Sequence, residues 1–187
     1  MENLFNNYYQ LIEATDVCVN KHMIMPALIL IYTAIDSVGW IASDNPKEAV
    51  GTRFQNWVNK WMLKNGRLKC TAEELYAARC GVLHTLTPNS TLSEKKGIRK
   101  IAYAWGIAKH EDLDESISAL SMNNRIVSIH LDDLFSSFRE GFADYIEHVF
   151  SNREIKEKFL KKSGQHFANL KMEKMDEFLE IARNNKA

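Results

Sequence analysis

LYAARCGVLHT, at residues 75–85, gives the strongest indication of both structure and chemistry in this chain. Within it, Arg79 precedes His84 by five residues. A fixed cation beside a group that exchanges a proton near neutral pH is the minimum equipment for cleaving a phosphodiester without a metal ion. The segment is therefore the first candidate for a functional site.

Local signals predict that this segment is helical. Thr71 and Glu74 have the Thr-x-x-Glu spacing of a capping box, which starts a helix, and Pro88 stops it. On an ideal helix, positions five residues apart point about 140° away from each other. Arg79 and His84 can therefore reach one phosphate only if the helix ends or loosens near His84, or if two chains share the site.

Composition points to a single, mostly helical domain over residues 1–187. With only 8 Gly and 3 Pro, the chain has few of the turn residues that a sandwich or barrel needs. The formal net charge of zero argues against coating of DNA, although a local basic patch stays open. The 3 cysteines form an odd set without close spacing, which favours a reducing compartment and a cytoplasmic location.

Apolar residues recur at helical spacing in four segments before residue 151, in addition to the segment with Arg79. They are residues 3–20, 23–42, 54–62 and 132–150, the last capped by Asp132. Residues 23–42 are nearly all apolar and long enough to cross a bilayer. They include Asp36, have Pro26 near their start and lack a flanking basic cluster, so we interpret them as a buried central helix and expect no membrane contact.

Two further segments, residues 98–107 and 124–131, are rich in aromatic and β-branched residues, which favours strands. They flank a polar, acidic stretch at 110–123. We therefore expect an all-α, up-and-down helical bundle with a small β insert near 98–131, either a short β-hairpin or an extended pair. Residues 151–187 predict a charged, helical C-terminal extension with a break at Ser163-Gly164.

An amphipathic helix that holds Arg-x4-His near its end, after two long helices, resembles the HEPN domain superfamily. The resemblance covers about residues 1–150 and implies a helical bundle. Active members are metal-independent endoribonucleases of prokaryotic toxin–antitoxin and phage-defence systems. Their site is typically composite across a homodimer, and its catalytic residues would here be Arg79 and His84.

The resemblance implies attack of a ribose 2′-hydroxyl on the neighbouring phosphate, leaving 2′,3′-cyclic phosphate ends. His84 would move the proton, and the planar guanidinium of Arg79 would stabilise the phosphoryl oxygens. No cofactor or metal is expected. One residue departs from the family pattern: many active members have Asn, Asp or His directly after the arginine, whereas this chain has Cys80, a weak hydrogen-bonding group.

Further residues are candidates for supporting roles. Asp36 is a candidate for orienting Arg79 or His84, or else a buried acid paired elsewhere, and Cys80 is a second candidate for orientation. The densest basic cluster follows the motif and is expected either to hold RNA phosphates or to form a solvated loop: Lys95, Lys96, Arg99 and Lys100. A second Arg-x4-His match, Arg125 to His130, lies in a segment that reads as extended.

Two alternatives stay open at this point. In a structural reading, His84 caps carbonyls at the helix end and Arg79 pairs with a carboxylate. The chain would then be a non-catalytic HEPN-like scaffold that binds a nucleotide or a partner protein. In either reading we expect a homodimer, with RNA or a nucleotide, or a cognate antitoxin, as partners.

Overall fold

Helix α2 (Ile24–Ala42) is the central element of a mostly helical fold. The computed structural model describes residues 2–92, 94 and 97–165. The other elements are α1 (Glu2–Asn20), α3 (Val50–Trp57), α4 (Ala72–Thr85), β1 (Lys100–Ala104), α5 (His110–Ala119), β2 (Ile126–His130), α6 (Leu131–Ser151) and α7 (Arg153–Ser163). The expectation of a mainly helical chain is confirmed, and the part of the expected C-terminal extension beyond residue 165 lies outside the described residues.

α2 packs against α1, α3, α4, α6 and α7, which explains its apolar composition. By length and composition it could cross a membrane, and 50% of its most apolar stretch is buried inside the fold. Pro26 lies in its first turn, where a missing N–H group costs least. Its buried residues are Ala27, Leu28, Ile31, Tyr32, Ala34, Ile35, Val38, Gly39 and Ile41.

The two strands pair in parallel, so the expected extended pair is confirmed and the alternative, a β-hairpin, is wrong. Their register runs from Lys100 opposite Ile126 to Ala104 opposite His130. Parallel strands need a crossover connection, and the acidic stretch between them supplies it by forming α5. Glu111 lies in the first turn of α5, where the helix dipole favours a negative charge.

α6 confirms the long helix that was expected after the second strand, but its cap differs. The Nδ1 atom of His130 accepts a hydrogen bond from the backbone N–H of Asp132, at 3.2 Å. His130 is therefore the N-cap, and the expected cap at Asp132 is wrong. The apolar face of the helix packs into the core through Leu134, Phe135, Phe138, Tyr145 and Val149.

α3 continues without a break into a π-helical turn, Val58–Met62. Such turns are rare and often occur at functional sites. α6 crosses the turn closely: a Cβ atom added at Gly141 would lie 2.9 Å from the carbonyl oxygen of Trp61. The turn therefore fixes the positions of the side chains around Trp61.

α4 begins at the predicted capping box and ends three residues before Pro88. The Thr71 hydroxyl accepts from the Glu74 N–H at 3.1 Å, and the Glu74 carboxylate accepts from the Thr71 N–H at 2.8 Å. Leu86 adopts the left-handed conformation with φ 54°, which turns the chain back over the helix. A side chain at Gly81 would collide with the carbonyl of that returning chain. The helix therefore ends directly after His84 and Thr85.

Candidate active site

Arg79 and His84 meet at the C-terminal end of α4. The Nη1 atom of Arg79 lies 3.2 Å from Nε2 of His84. Both residues are within the regular helix, so no loosening of α4 is needed. The long side chain of Arg79 reaches across the helical turn that separates the two residues. The imidazole of His84 lies in the last turn of α4, beyond which the helix does not continue. His84 is exposed, so the pair faces solvent.

Asp36 of α2 holds the guanidinium in place. The Nε atom of Arg79 donates to Oδ2 of Asp36 at 2.6 Å, and Nη2 forms an ion pair with the same oxygen. The two side chains are only 14% and 16% exposed. Because Nε and Nη2 are both directed at Asp36, Nη1 is left to face His84. Asp36 therefore pairs with Arg79, which fits its expected orienting role and equally the structural reading in which Arg79 pairs with a carboxylate.

The contact between the two motif residues fixes the role of the imidazole. A guanidinium only donates hydrogen bonds, so Nε2 of His84 must accept in this arrangement. An unprotonated imidazole nitrogen beside a fixed cation is the form that a general base requires.

Burial and charge oppose each other at this cluster. Desolvation raises the pKa of Asp36, and the hydrogen bond and charge of Arg79 offset that rise only in part. For Arg79, burial works against the charged form, but the bond to Asp36 outweighs it and raises the pKa above the ordinary value. Arg79 is therefore a permanent cation at this position.

One oxygen of the cluster is unused. Oδ1 of Asp36 is buried and has no hydrogen-bond partner among the described residues. A buried acceptor without a partner costs about 1–3 kcal/mol. The Asp36–Arg79 pair is therefore not optimised for stability alone, which is common where an arrangement serves a function.

Tyr76 and Cys80 complete the surroundings of Arg79. The guanidinium carbon of Arg79 lies 5.9 Å from the centre of the Tyr76 ring, within the range of a cation–π contact. Burial raises the pKa of Tyr76, and the neighbouring Cys80 thiol adds to the rise. Cys80 thus lies beside Tyr76 as well as Arg79, consistent with a supporting position. Sequence analysis missed Tyr76, although its spacing of three residues from Arg79 places both on one helix face.

The structure describes two of the four residues of the basic cluster, Arg99 and Lys100, and both are already paired. Nε of Arg99 donates to Oε1 of the buried Glu74 at 2.6 Å, and Nη2 donates to Oε2 at 3.1 Å. Lys100 donates to the side chain of Asn89. Lys95 and Lys96 lie outside the described residues. Arg99 therefore holds the start of α4 and does not stand free to bind phosphate.

The second Arg-x4-His match occupies a different setting. Arg125 directly precedes β2, and His130 ends that strand with Nδ1 engaged at the start of α6. This position confirms the extended reading of the segment. Only Arg79 and His84 are found with their side chains in contact at a helix end.

Metal ligands and similarity to other proteins are two further sources of evidence on function. No cluster of three or more His, Cys, Asp or Glu residues suited to a metal ion occurs within residues 2–92, 94 and 97–165. Comparisons of the chain with family models, curated proteins and solved structures found no match. The function of the chain therefore has to be inferred from the geometry of Asp36, Arg79 and His84.

Proposed function

We propose that this chain is a metal-independent endoribonuclease with a helical bundle of HEPN type. The observation that carries the proposal is the 3.2 Å contact between Arg79 and His84, with Arg79 oriented by Asp36. An undistorted helix places the two Cα–Cβ directions far apart, so their meeting at an exposed helix end requires the specific anchor that Asp36 supplies.

The chemistry follows from the roles of the two side chains. Nε2 of His84 takes the proton of a ribose 2′-hydroxyl, whose oxygen attacks the adjacent phosphorus. The bond from phosphorus to the 5′-oxygen breaks, leaving a 2′,3′-cyclic phosphate and a 5′-hydroxyl once that oxygen is protonated. Nη1 of Arg79 turns from His84 to a phosphoryl oxygen and stabilises its charge. General acid–base catalysis contributes typically about 10²–10⁴-fold.

A homodimer supplies the second half of this reaction. One imidazole acts as base, and the leaving 5′-oxygen needs an acid. The resemblance to HEPN proteins implies a composite site across a dimer, in which His84 of a second copy enters the reaction as the protonated imidazolium and gives that proton to the leaving oxygen. The exposure of His84 is compatible with such pairing.

The biological setting is part of the proposal and comes from the resemblance. We propose a cytoplasmic role in phage defence or as the toxin of a toxin–antitoxin pair, with RNA as substrate and a cognate antitoxin as protein partner. Toxic ribonucleases need such a partner because free activity would harm the host.

The direct test is RNA cleavage in EDTA. Purified protein is incubated with mixed single-stranded RNA and with the same sequences as DNA, beside His84→Ala and the control His110→Ala. We expect RNA to be cut to cyclic phosphate ends, DNA to stay intact, and only His84→Ala to lose activity. Cleavage by His84→Ala at the wild-type rate would falsify the proposed site.

One observation favours a non-catalytic scaffold as the second candidate. Arg79 is already paired with Asp36, so it is partly committed before any phosphate arrives. A scaffold uses that pair to tie α4 to α2 and binds a nucleotide or a protein without cleaving RNA. Absence of cleavage by the wild-type protein under all conditions, with retained binding of RNA or nucleotide, would favour this candidate.

A further inference from the structure

A second cleft lies between the α2–α3 connection, the π-helical turn and α6. It has a volume of about 310 Å³, at the lower end of the range for sites of small ligands. Neither Arg79 nor His84 lines it. The inference drawn from this cleft therefore goes beyond the proposed ribonuclease site and does not rest on it.

Aromatic rings form much of the cleft wall. Trp57 and Trp61 come from the junction of α3 with the π-helical turn, and Tyr145 and His148 come from α6. Trp61 lies 5.7 Å from Tyr145 and 5.3 Å from His148, measured between ring centres. These contacts hold the rings in fixed positions. Rigid aromatic walls are suited to a flat ring, because ordering them costs no further entropy on binding.

Two cations in the wall have no acidic partner. Arg53 is half-buried and Lys60 is exposed, and neither forms an ion pair with any residue of the described chain. Lys60 instead lies 4.8 Å from the centre of the Trp61 ring. The charge of Asp36 acts on Arg53, but no acidic side chain of the described residues is in ion-pair contact with it, so an anion entering the cleft would add a direct partner.

The acids that line the same cleft are already engaged. Asp44 pairs with Lys158 at 3.3 Å. Glu48 accepts from the Ser43 hydroxyl at 2.5 Å and from the Asn56 amide at 2.9 Å. Lys162, which approaches from α7, donates to backbone carbonyls of Trp40 and Ser43. Asp44 is therefore neutralised by an ion pair, whereas Glu48 keeps its charge but is held by neutral donors and forms no ion pair with Arg53 or Lys60.

Two buried donors next to the cleft also lack acceptors. Nε of Arg53 and Nε1 of Trp57 are shielded from water and have no hydrogen-bond partner within the described ranges, and Trp57 is only 2% exposed. Most buried N–H groups in proteins are paired. These N–H groups leave unmatched partial positive charge in the wall of the cleft, which favours a negative charge nearby.

We propose that this cleft binds a small aromatic anion, with its flat ring among the aromatic side chains and its anionic group paired with Arg53 and Lys60. The anion supplies the direct partner that these two cations lack. The ring supplies the apolar surface that free phosphate would not. Because the cleft has both cations and aromatic rings, it is selective for molecules that have both an anionic group and a flat ring.

The test uses fluorine NMR of protein labelled with 5-fluorotryptophan. The chain has 4 tryptophans, of which Trp57 and Trp61 line the cleft and Trp105 is exposed elsewhere. Each signal is assigned by a single Trp→Phe variant. Phenyl phosphate and benzoate are the aromatic anions, inorganic phosphate is the anion alone, and phenol is the ring alone. We expect saturable shifts of the Trp57 and Trp61 signals with an aromatic anion, and an unchanged Trp105 signal.

Variants identify the binding groups. Lys60→Met is expected to weaken binding about tenfold, the loss for one charge-assisted contact. Arg53→Met is expected to weaken it at least as much. Lys64→Met removes a charge just after the same turn, where Lys64 pairs with Asp144 and does not line the cleft, and leaves binding unchanged. Arg79→Ala also leaves it unchanged, which separates this site from the proposed ribonuclease site.

Several results would overturn the proposal. The first is an absence of saturable shifts with both aromatic anions throughout the millimolar range. The second is equal binding of phenol or inorganic phosphate, which would remove one half of the recognition. The third is binding that survives Lys60→Met unchanged. Because Lys60 is exposed, that variant is expected to keep the fold even if Arg53→Met does not.

Discussion

Two arginine–carboxylate pairs lie at opposite ends of α4, and they differ in how fully they are satisfied. Arg99 and Glu74, at the start of the helix, use both carboxylate oxygens, and Glu74 also accepts from the backbone of Thr71 and of Arg99. Arg79 and Asp36, near its end, use one oxygen and leave the other without a partner. The first pair is closed, whereas the second leaves a guanidinium nitrogen beside His84.

We propose that the difference separates a structural role from a functional one. In a closed pair every polar atom has a partner within the fold, so the pair contributes fully to the stability of the fold. An open pair gives up part of that stability and keeps a cation oriented toward solvent. We therefore expect substitutions at Glu74 to act on folding and substitutions at Asp36 to act on the activity of the site.

The largest effect on folding is expected from Glu74→Ala. The change leaves the Arg99 guanidinium without its partner and removes half of the capping box. We expect a loss of about 3 kcal/mol in the free energy of unfolding. Denaturation in urea measures it. Glu73→Ala, an exposed acid in the same turn, is the matched control and should cost less than about 0.5 kcal/mol. Equal losses in the two variants would contradict a closed pair.

A smaller effect is expected from pH at the same residue. Burial works against the ionised form of Glu74, but the hydrogen bonds from Arg99 and Thr71 outweigh it and lower its pKa. A carboxyl whose pKa is lower in the folded chain stabilises the fold above its unfolded value of about 4.3. That contribution is lost as the pH falls through the folded pKa. Unfolding free energies of wild type and Glu74→Gln should therefore converge below about pH 4.3, and a constant difference would contradict this account.

The smallest effect on folding is expected from Asp36→Asn. Burial already disfavours the charged carboxylate, and the amide oxygen of asparagine can still accept from Arg79. We expect a loss of about 1 kcal/mol or less in the free energy of unfolding, clearly below that of Glu74→Ala. RNA cleavage, by contrast, should fall by up to about 100-fold, because a neutral amide oxygen holds the guanidinium less firmly than a carboxylate does. Urea denaturation and cleavage assays on the same preparations test both halves, and a large folding loss with normal cleavage would reverse the assignment.

The features that sequence predicted correctly are local ones. The capping box at Thr71 and Glu74 depends on a spacing of three residues, and Pro26 belongs in a first turn through its own geometry. The buried character of α2 follows from composition over a single helix. Such signals need no knowledge of what packs against the segment.

The features that sequence analysis missed depend on distant residues. Asp36 and Arg79 are 43 positions apart, so the sequence left two roles open for Asp36 and could not decide between them. The basic run after the motif gave no sign that Arg99 pairs with Glu74, 25 residues earlier. Arg53 and Trp57 show their unmatched donors only once α2, α3 and the π-helical turn surround them.

The wrong expectation of a β-hairpin has a cause that can be found in the sequence. Two short strands separated by a polar stretch favour a hairpin when that stretch is taken as a loop. Acidic residues at its start, Glu111 and Asp112, are the signal of a helix N-terminus, and a helix between strands favours parallel pairing. Helix patterning in the connection therefore needs to be weighed before strand direction is assigned.

The central claim is that Arg79 serves chemistry and Arg99 serves the fold. The measurement that tests it most directly is the initial rate of RNA cleavage in EDTA by Arg79→Ala and Arg99→Ala, each at a temperature where circular dichroism shows it folded. We predict a loss of about 10²-fold or more for Arg79→Ala, and a near wild-type rate for Arg99→Ala. Equal rates for the two folded variants, or a greater loss for Arg99→Ala, would contradict the account.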